Sequence, residues 1–224
     1  MKGYGQFCPV ALASEVFAER WTPLILRELL AGARRFADLH RGVPRISRNL
    51  LTQRLLALQH AGIIERKTSA NGRGHEYHLT AAGQEFRAVI DALGSWGYKW
   101  STQDLRDEQI DPDHLMWALR RLVRRDNLPD HRVVVCFRFR QEPKRRFWLV
   151  LNREEVDLCL FDPGFDLDLE VLANVHALAE ICLGHLSVSD AANRGGLTLS
   201  GPRAYCRALP TWLGVSRFAL AAAN

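Results

Sequence analysis

The segment between Arg34 and Tyr77 constrains the fold of this chain more than any other part of its sequence. Ser47 is a favourable N-cap, because its hydroxyl can accept a hydrogen bond from the unpaired N–H groups of a first helical turn. The predicted helix extends from Ser47 to His60, and one of its faces is apolar at intervals of four and three residues. The residues of that face are Leu51, Leu55 and Leu58. A shorter helix from Phe36 to Arg41 precedes it, so the sequence predicts two helices joined by a tight turn.

The other face of the Ser47–His60 helix is polar, and a hairpin follows it. That face carries Asn49, Thr52 and Gln53, and Arg48 lies beside them near the N-terminal end of the helix. Guanidinium, amide and hydroxyl groups can form hydrogen bonds with base edges in the major groove of DNA. Two short predicted strands, Ile63–Lys67 and His75–Leu79, then flank the turn sequence Asn71-Gly72-Arg73-Gly74. Helix, turn, helix and basic hairpin make up a winged helix, so the sequence predicts a protein that binds double-stranded DNA.

Basic residues are concentrated in the same part of the chain. Residues 1–100 contain 14 Lys and Arg against 8 Asp and Glu, whereas residues 101–224 contain 16 against 17. A basic excess on one domain is the charge distribution expected for binding to phosphates. The residues predicted to contact phosphate or the minor groove are Arg34, Arg35, Lys67 and Arg73.

Several other classes of protein are not expected from this sequence. It has no segment with the pattern of a signal peptide and no apolar run of the roughly 20 residues needed to span a bilayer. Its five cysteines are widely spaced, which favours reduced thiols in the cytoplasm. No glycine-rich phosphate loop, Ser-His-Asp grouping or pair of carboxylates indicates an enzyme. We expect no catalytic residue, no metal and no cofactor; His75 and His78 point to opposite faces of their strand.

A long helix is predicted after the hairpin, from Thr80 to about Ser101. Its apolar stripe consists of Phe86, Val89, Ile90, Leu93, Trp96 and Trp100. The small winged helix cannot cover so much apolar surface. The stripe is therefore predicted either to form a dimer interface or to be covered by the second half of the chain.

The second half is predicted to be a separate α+β domain. The polar segment from Thr102 to Ile110 is interpreted as a linker, which gives domains at residues 1–102 and 103–224. After a helix that begins at Asp111, the pattern changes to an alternation of apolar and polar residues, which is typical of strands. We expect an antiparallel sheet with one face covered by helices. The side chains predicted to face those helices from the first strand are Val133, Val135, Phe137 and Phe139.

The N-terminal part resembles the HxlR family of winged-helix regulators from about residue 7 to 100. The matching motifs are Cys8-Pro9-Val10, Arg20–Leu29, Arg35-Phe36-Ala37-Asp38-Leu39, Ile46–Leu55, Ala61-Gly62-Ile63-Ile64 and Tyr77–Gly83. The resemblance implies a MarR/HxlR-like fold and a homodimeric regulator on a pseudo-palindromic operator. It also implies that the N-terminal helix and the helix after the hairpin form the dimer. In some members the cysteine at the position of Cys8 senses oxidants or electrophiles, and here it is either such a sensor or an inert thiol.

From about residue 104 to 220, the chain resembles a sterol-carrier-protein-like domain. The matching motifs are Arg146–Leu151, Asp157–Gly164, Leu183-Gly184, Gly195, Gly201-Pro202 and Trp212-Leu213. Such folds can enclose an apolar tunnel that holds a lipid or another hydrophobic molecule. The inward residues of the first strand then either line a ligand site or form an ordinary core. We therefore expect a DNA-binding regulator controlled by a hydrophobic effector, or, alternatively, by oxidation of Cys8.

Overall fold

A computed structural model describes residues 3–69, 72, 74–103 and 105–222. The chain divides into two compact units, Met1–Gly94 and Ser95–Asn224. The dividing point lies within one long helix, upstream of the predicted linker. Within the described residues, no helix is both long and apolar enough to cross a membrane.

Within the described residues, the first unit contains five helices and a hairpin, and the last helix continues into the second unit. In chain order these elements are α1 (Pro9–Phe17), α2 (Thr22–Leu30), α3 (Phe36–Gly42), α4 (Arg48–His60), β1 (Ile64–Thr68), β2 (His75–Leu79) and α5 (Ala81–Ser101). β1 and β2 are antiparallel, with Ile64 opposite Leu79 and Thr68 opposite His75. The order and the hairpin agree with the predicted winged helix.

Local sequence signals explain where these helices begin. The Ser47 Oγ accepts a hydrogen bond from the Leu50 N–H at 3.2 Å, and the Thr80 Oγ1 accepts one from the Gly83 N–H at 3.2 Å. One apolar core then joins α2, α3, α4 and the hairpin, and it contains Leu51, Leu55 and Leu58 at 2% exposure or less. The predicted N-cap Ser47 and the predicted buried face of α4 are confirmed.

The second unit contains a five-stranded sheet with helices packed on it. Its elements after α5 are α6 (Pro112–Leu122), β3 (Val133–Phe139), β4 (Glu142–Leu151), β5 (Val156–Cys159), β6 (Leu169–Ala173), α7 (Val175–Leu183), α8 (Val188–Asn193), β7 (Leu197–Ser200), α9 (Arg203–Trp212) and α10 (Arg217–Ala222), with short 3₁₀ helices at Asp107–Gln109 and Arg125–Asn127. The strand order is β5-β4-β3-β6-β7. Residues of α6, α7 and α9 share one apolar core with the inward residues of β3, β4 and β6.

The sheet is mixed, so the prediction of an antiparallel sheet is wrong for one pair of strands. β3 and β6 are parallel, with Val135 opposite Leu169 and Phe139 opposite Ala173. Parallel neighbours need a long crossover connection, and here β4, β5 and the following loop provide it. Asp168 fixes the start of β6 beside β3, because its Oδ2 accepts a hydrogen bond from the Val134 N–H at 2.8 Å. Such pairing depends on residues distant in sequence, which an alternating pattern does not reveal.

Candidate nucleic-acid interface

The polar face of α4 is available to a ligand. Arg48, Asn49 and Gln53 are exposed; Asn49 and Gln53 lie on the side of the helix opposite its buried leucines, and Arg48 lies at its N-terminal end. Thr52 is also exposed, but its Oγ1 donates a hydrogen bond to the Arg48 carbonyl at 3.0 Å, so its hydroxyl can only accept from another group. Ser47 is exposed and occupied as the N-cap. The first turns of α4 therefore present a guanidinium and two amides that can reach base edges together.

The structure places the two neighbouring arginines in different roles. Arg34 is partly buried, and its Nη1 donates to the carbonyls of Leu29 at 2.7 Å and Ala33 at 3.1 Å. These bonds satisfy carbonyl groups at the C-terminal end of α2, so the Arg34 guanidinium supports the fold. Arg35 is exposed and forms a single β-bridge with Glu76. Of the two side chains, that of Arg35 is the more exposed and therefore the more accessible to a phosphate.

The hairpin carries exposed basic side chains on β1. Lys67 is exposed, and its Nζ lies 2.5 Å from the Glu65 Oε1 on the same strand. Arg66, which was not among the predicted phosphate contacts, is also exposed, on the other face of β1. Arg73, the predicted tip residue, lies outside the described residues. An exposed ion pair such as that of Lys67 contributes little energy, so Lys67 can exchange Glu65 for a phosphate.

A hydrogen-bond network at the base of the tip was not predicted. The buried Ser69 donates from Oγ to the Glu76 Oε1 at 2.8 Å, and the Glu76 Oε2 lies 3.2 Å from the His78 Nε2. The Ser69 hydrogen bond lowers the pKa of Glu76 most, and His78 and Arg35 lower it further against the opposing effect of desolvation. Ser69 and Glu76 meet only once the hairpin register is set, so no local motif signals this contact.

Cys8 is exposed and directly precedes α1. The backbone N–H groups of Ala11 and Val10 lower the pKa of its thiol, although the side chain makes no full capping hydrogen bond. Cys136 and Cys182 are buried, and burial raises the pKa of the Cys182 thiol to about 12. Cys8 therefore has the environment of a reactive thiol, and Cys182 has that of an inert one.

The predicted ligand residues lie together inside the second unit. The side chains of Val133, Val135, Phe137 and Phe139 are at most 1% exposed and contribute to the core shared by the sheet and the helices. Phe139 and Phe147 form an edge-to-face ring pair at 5.7 Å within that core. A ligand between sheet and helices would therefore have to displace packed side chains. Among the described residues, no group of three or more metal-binding side chains is found.

Sequence comparison places the first unit among known proteins. The model of the HxlR-like helix-turn-helix family matches residues 16–105. An HTH-type transcriptional regulator of Synechocystis, sll1512, is 36% identical over 101 residues, which cover 45% of this chain and 75% of that protein. The chain belongs to the HxlR-like helix-turn-helix family. The family match covers α2, α3, α4, the hairpin and α5, the elements that build the interface described above.

Other relatives show how far the similarity extends. Rv3095 of Mycobacterium tuberculosis, an uncharacterized HTH-type transcriptional regulator, is 44% identical over 91 residues. The match covers 39% of this chain and 56% of that protein, so this HxlR-like chain spans only about half of that relative. Among solved structures, quinone-bound YodB of Bacillus subtilis is 29% identical, with a TM-score of 0.37 over 42% of this chain and all of that one.

Proposed function

We propose that this chain is a sequence-specific transcriptional regulator that acts in the cytoplasm and reads operator DNA through α4. The main support is that Asn49 and Gln53 are exposed on one face of α4, that Arg48 is exposed at the start of this helix, and that the following hairpin exposes basic side chains. The hydroxyl oxygens of Ser47 and Thr52 can accept hydrogen bonds from base amino groups of the DNA. Positive charge near the DNA phosphates comes from Arg34, Arg35, Lys67 and Arg73. In a winged helix the second helix of the helix-turn-helix enters the major groove and its N-terminal residues contact bases.

Selection from a random duplex pool tests this function directly. The intact chain should enrich one pseudo-palindromic sequence whose half-sites are about 34 Å apart, one turn of duplex. Residues 1–102 alone should retain operator binding if the proposed domains, 1–102 and 103–224, divide the functions. Enrichment of no common sequence would contradict sequence-specific binding.

We further propose that the regulator is a homodimer formed through α1 and α5. The exposed apolar stripe of α5 consists of Val89, Leu93, Trp96 and Trp100, and the last two are 60% and 63% exposed. Near α1, Phe7 is 97% exposed and Val10 is 73% exposed. Soluble monomers rarely expose a contiguous apolar patch of this kind. Self-association would cover it.

Light scattering tests the dimer. Leu93→Glu with Trp96→Glu should convert a dimer into a monomer at micromolar concentration, because carboxylates cannot be buried without partners. Gln84→Glu with Ser95→Glu is the matched control, because both residues are exposed and lie on the other side of α5. A wild-type chain that is already monomeric would contradict the proposal.

For the second unit we propose a sterol-carrier-like fold that binds a hydrophobic effector between the sheet and its helices. The supporting observation is the wide apolar layer formed by Val133, Val135, Phe137 and Phe139 against those helices. A thermal-shift screen with fatty acids, acyl-CoA and sterols tests it, because a ligand that binds only the folded state raises the melting temperature. If no such compound shifts it, the layer is only a core.

A second candidate input is the thiol of Cys8. Its exposure and its lowered pKa are the observations in its favour. In this version, oxidants or electrophiles modify Cys8 and change operator affinity, and the second unit is structural or a lipid carrier. Loss of the response to a quinone in Cys8→Ser, with operator binding intact, would support it.

A further inference from the structure

An open basic depression lies along β4 in the second unit. It has a volume of about 260 Å³ and is lined by Lys144, Arg145, Arg146, Trp148 and Leu160. This volume is just below the roughly 300–1,000 Å³ of drug-sized ligand sites, so the depression would hold part of a ligand and leave the rest exposed. We call these five residues the β4 depression.

The positions of strand ends create the depression. β4 continues to Glu142, but its pairing with β5 covers only Trp148 to Leu151. β5 ends at Cys159, and the next residue, Leu160, is 45% exposed at the rim. Among the described residues, the part of β4 that precedes Trp148 therefore has no neighbouring strand on the edge where β5 pairs with the rest of β4. Its backbone edge is open beside the depression.

The positive charge in and beside the β4 depression is only partly balanced by carboxylates. Arg138 and Arg146 are directly opposite each other on β3 and β4, an arrangement that is destabilising for like charges. The Arg138 Nη1 is held by the Glu170 Oε1 at 2.8 Å, and Arg145 pairs with Asp113 and Glu142. Within the described part of the chain, Lys144 and Arg146 form no ion pair, and both are exposed. An anion placed between them would remove this imbalance.

The third component is aromatic. Arg146 and Trp148 are two residues apart on the regularly paired part of β4 and point to the same face, and Lys144, which lies within the register shift between β3 and β4, lines the same depression. The indole of Trp148 is partly exposed, and both cations lie on the N-terminal side of it along the chain. A nucleoside di- or triphosphate has a base for the indole at one end and phosphates for the cations at the other. Indole rings stack on nucleobases, and ammonium and guanidinium groups bind phosphate.

We propose that the β4 depression is a binding site for a free nucleoside phosphate, with the base against Trp148 and the phosphates on Lys144 and Arg146. This site is separate from the proposed DNA interface on α4 and from the proposed hydrophobic effector site. It does not depend on either of them. The alternative role of these cations is to prevent the open edge of β4 from pairing with a strand of another molecule. The binding experiment distinguishes this role from nucleotide binding.

The test measures binding of a fluorescent N-methylanthraniloyl-ATP to the intact chain by anisotropy. Lys144→Ala with Arg146→Ala should weaken binding at least about tenfold, because charged contacts to phosphate are lost. Arg203→Ala with Arg207→Ala removes the same charge from exposed positions on α9 and should change affinity less than about twofold. Equal losses in the two double variants would overturn the proposal.

Base stacking is tested at Trp148 and with competitors. Trp148→Leu should weaken binding roughly fivefold or more, whereas Trp148→Phe should retain most of the affinity. Unlabelled ATP should displace the probe better than tripolyphosphate or adenosine, since each of these has only half of the recognised chemistry. If tripolyphosphate competes as well as ATP and Trp148→Leu has no effect, the depression is an unspecific polyanion surface.

Duplex DNA is the remaining alternative occupant. A duplex without operator sequence should not displace the probe if the site holds a free nucleotide. Displacement, together with weaker duplex binding by the Lys144→Ala/Arg146→Ala variant, would assign the depression to the DNA backbone and overturn the proposal.

Discussion

Asn49 and Gln53 are the side chains with which we expect α4 to distinguish bases. An amide can donate and accept at once, which allows a two-bond contact with adenine in the major groove. Both residues are exposed, so their amides are accessible to a ligand. Asn49→Ala with Gln53→Ala should weaken operator binding by about 1–3 kcal/mol for each two-bond contact that is lost.

Titration of the operator against wild type and variant measures this effect. Gln59→Ala is the matched control, because it removes an amide near the C-terminal end of the same helix, roughly 9 Å along the axis from Gln53. Unchanged circular dichroism would show that the fold is intact. If the folded double variant binds the operator with unchanged affinity, α4 does not recognise bases through Asn49 and Gln53.

Cys8 and Cys182 should differ in their reaction with iodoacetamide. The thiolate is the nucleophile, and the ordinary thiol pKa is about 8.5. Because backbone N–H groups lower the pKa of Cys8, its modification should begin at lower pH than that of a free cysteine. Cys182, with a pKa raised to about 12 by burial, should remain unmodified until the protein unfolds.

Mass spectrometry of chains alkylated between pH 6 and 9 gives the rate at each cysteine. In Cys8→Ser the fast phase should disappear and the slow phases should not change. If Cys8 reacts no faster than Cys206, its thiol lacks the reactivity that a sensor needs.

The hairpin should bind DNA without reading its sequence. Lys67→Ala and Arg73→Ala should each weaken operator and non-operator duplexes alike, because each removes a phosphate contact. The slope of log affinity against log salt should become shallower by about one unit for each change. Arg217→Ala, a loss of one cation in the second unit, is the matched control. Loss of operator binding alone in Arg73→Ala would show that Arg73 reads bases.

The elements of the first unit could be predicted because their signals are local. Ser47, the leucine spacing of α4 and the glycines of the turn each act within a few residues, and the structure agrees with them. The start of α2 is different: Trp21, with φ of 80°, occupies the N-cap position, and Thr22, a residue type that favours that position, is already helical. That conformation depends on tertiary packing, which propensity does not include.

Long-range contacts explain what was missed in the second unit. The alternating pattern identified β3 and its inward side chains, but not its parallel partner β6, because strand order is set by Asp168 and by the crossover. The alternation of acidic and apolar residues from Asp166 to Val171 is typical of an edge strand with solvated charges. In the structure β6 lies between β3 and β7, and Glu170 pairs with Arg138. A single polar residue can thus have a structural partner that its sequence neighbours do not indicate.

The second unit is not basic overall, so it is not expected to bind DNA and needs another role in the regulator. If that unit senses a hydrophobic effector, the effector must have different affinities for the DNA-bound and free states. The core that contains Phe137 and Phe139 is packed in this structure. Effector binding would therefore accompany a rearrangement of that core, which is a change that operator DNA could favour or oppose.

Reciprocity provides the measurement. A coupling of about 1–3 kcal/mol means that saturating operator DNA must change effector affinity by the same roughly 5- to 150-fold factor by which the effector changes operator affinity. Calorimetric titration of the effector with and without operator measures the factor, and the Asn49→Ala/Gln53→Ala variant, which should not be saturated by DNA, provides the control. If a ligand binds the second unit and operator DNA leaves its affinity unchanged, that unit is a carrier or a brace for the dimer. Operator affinity would then be regulated by modification of the Cys8 thiol, provided that Cys8→Ser abolishes the response to a quinone.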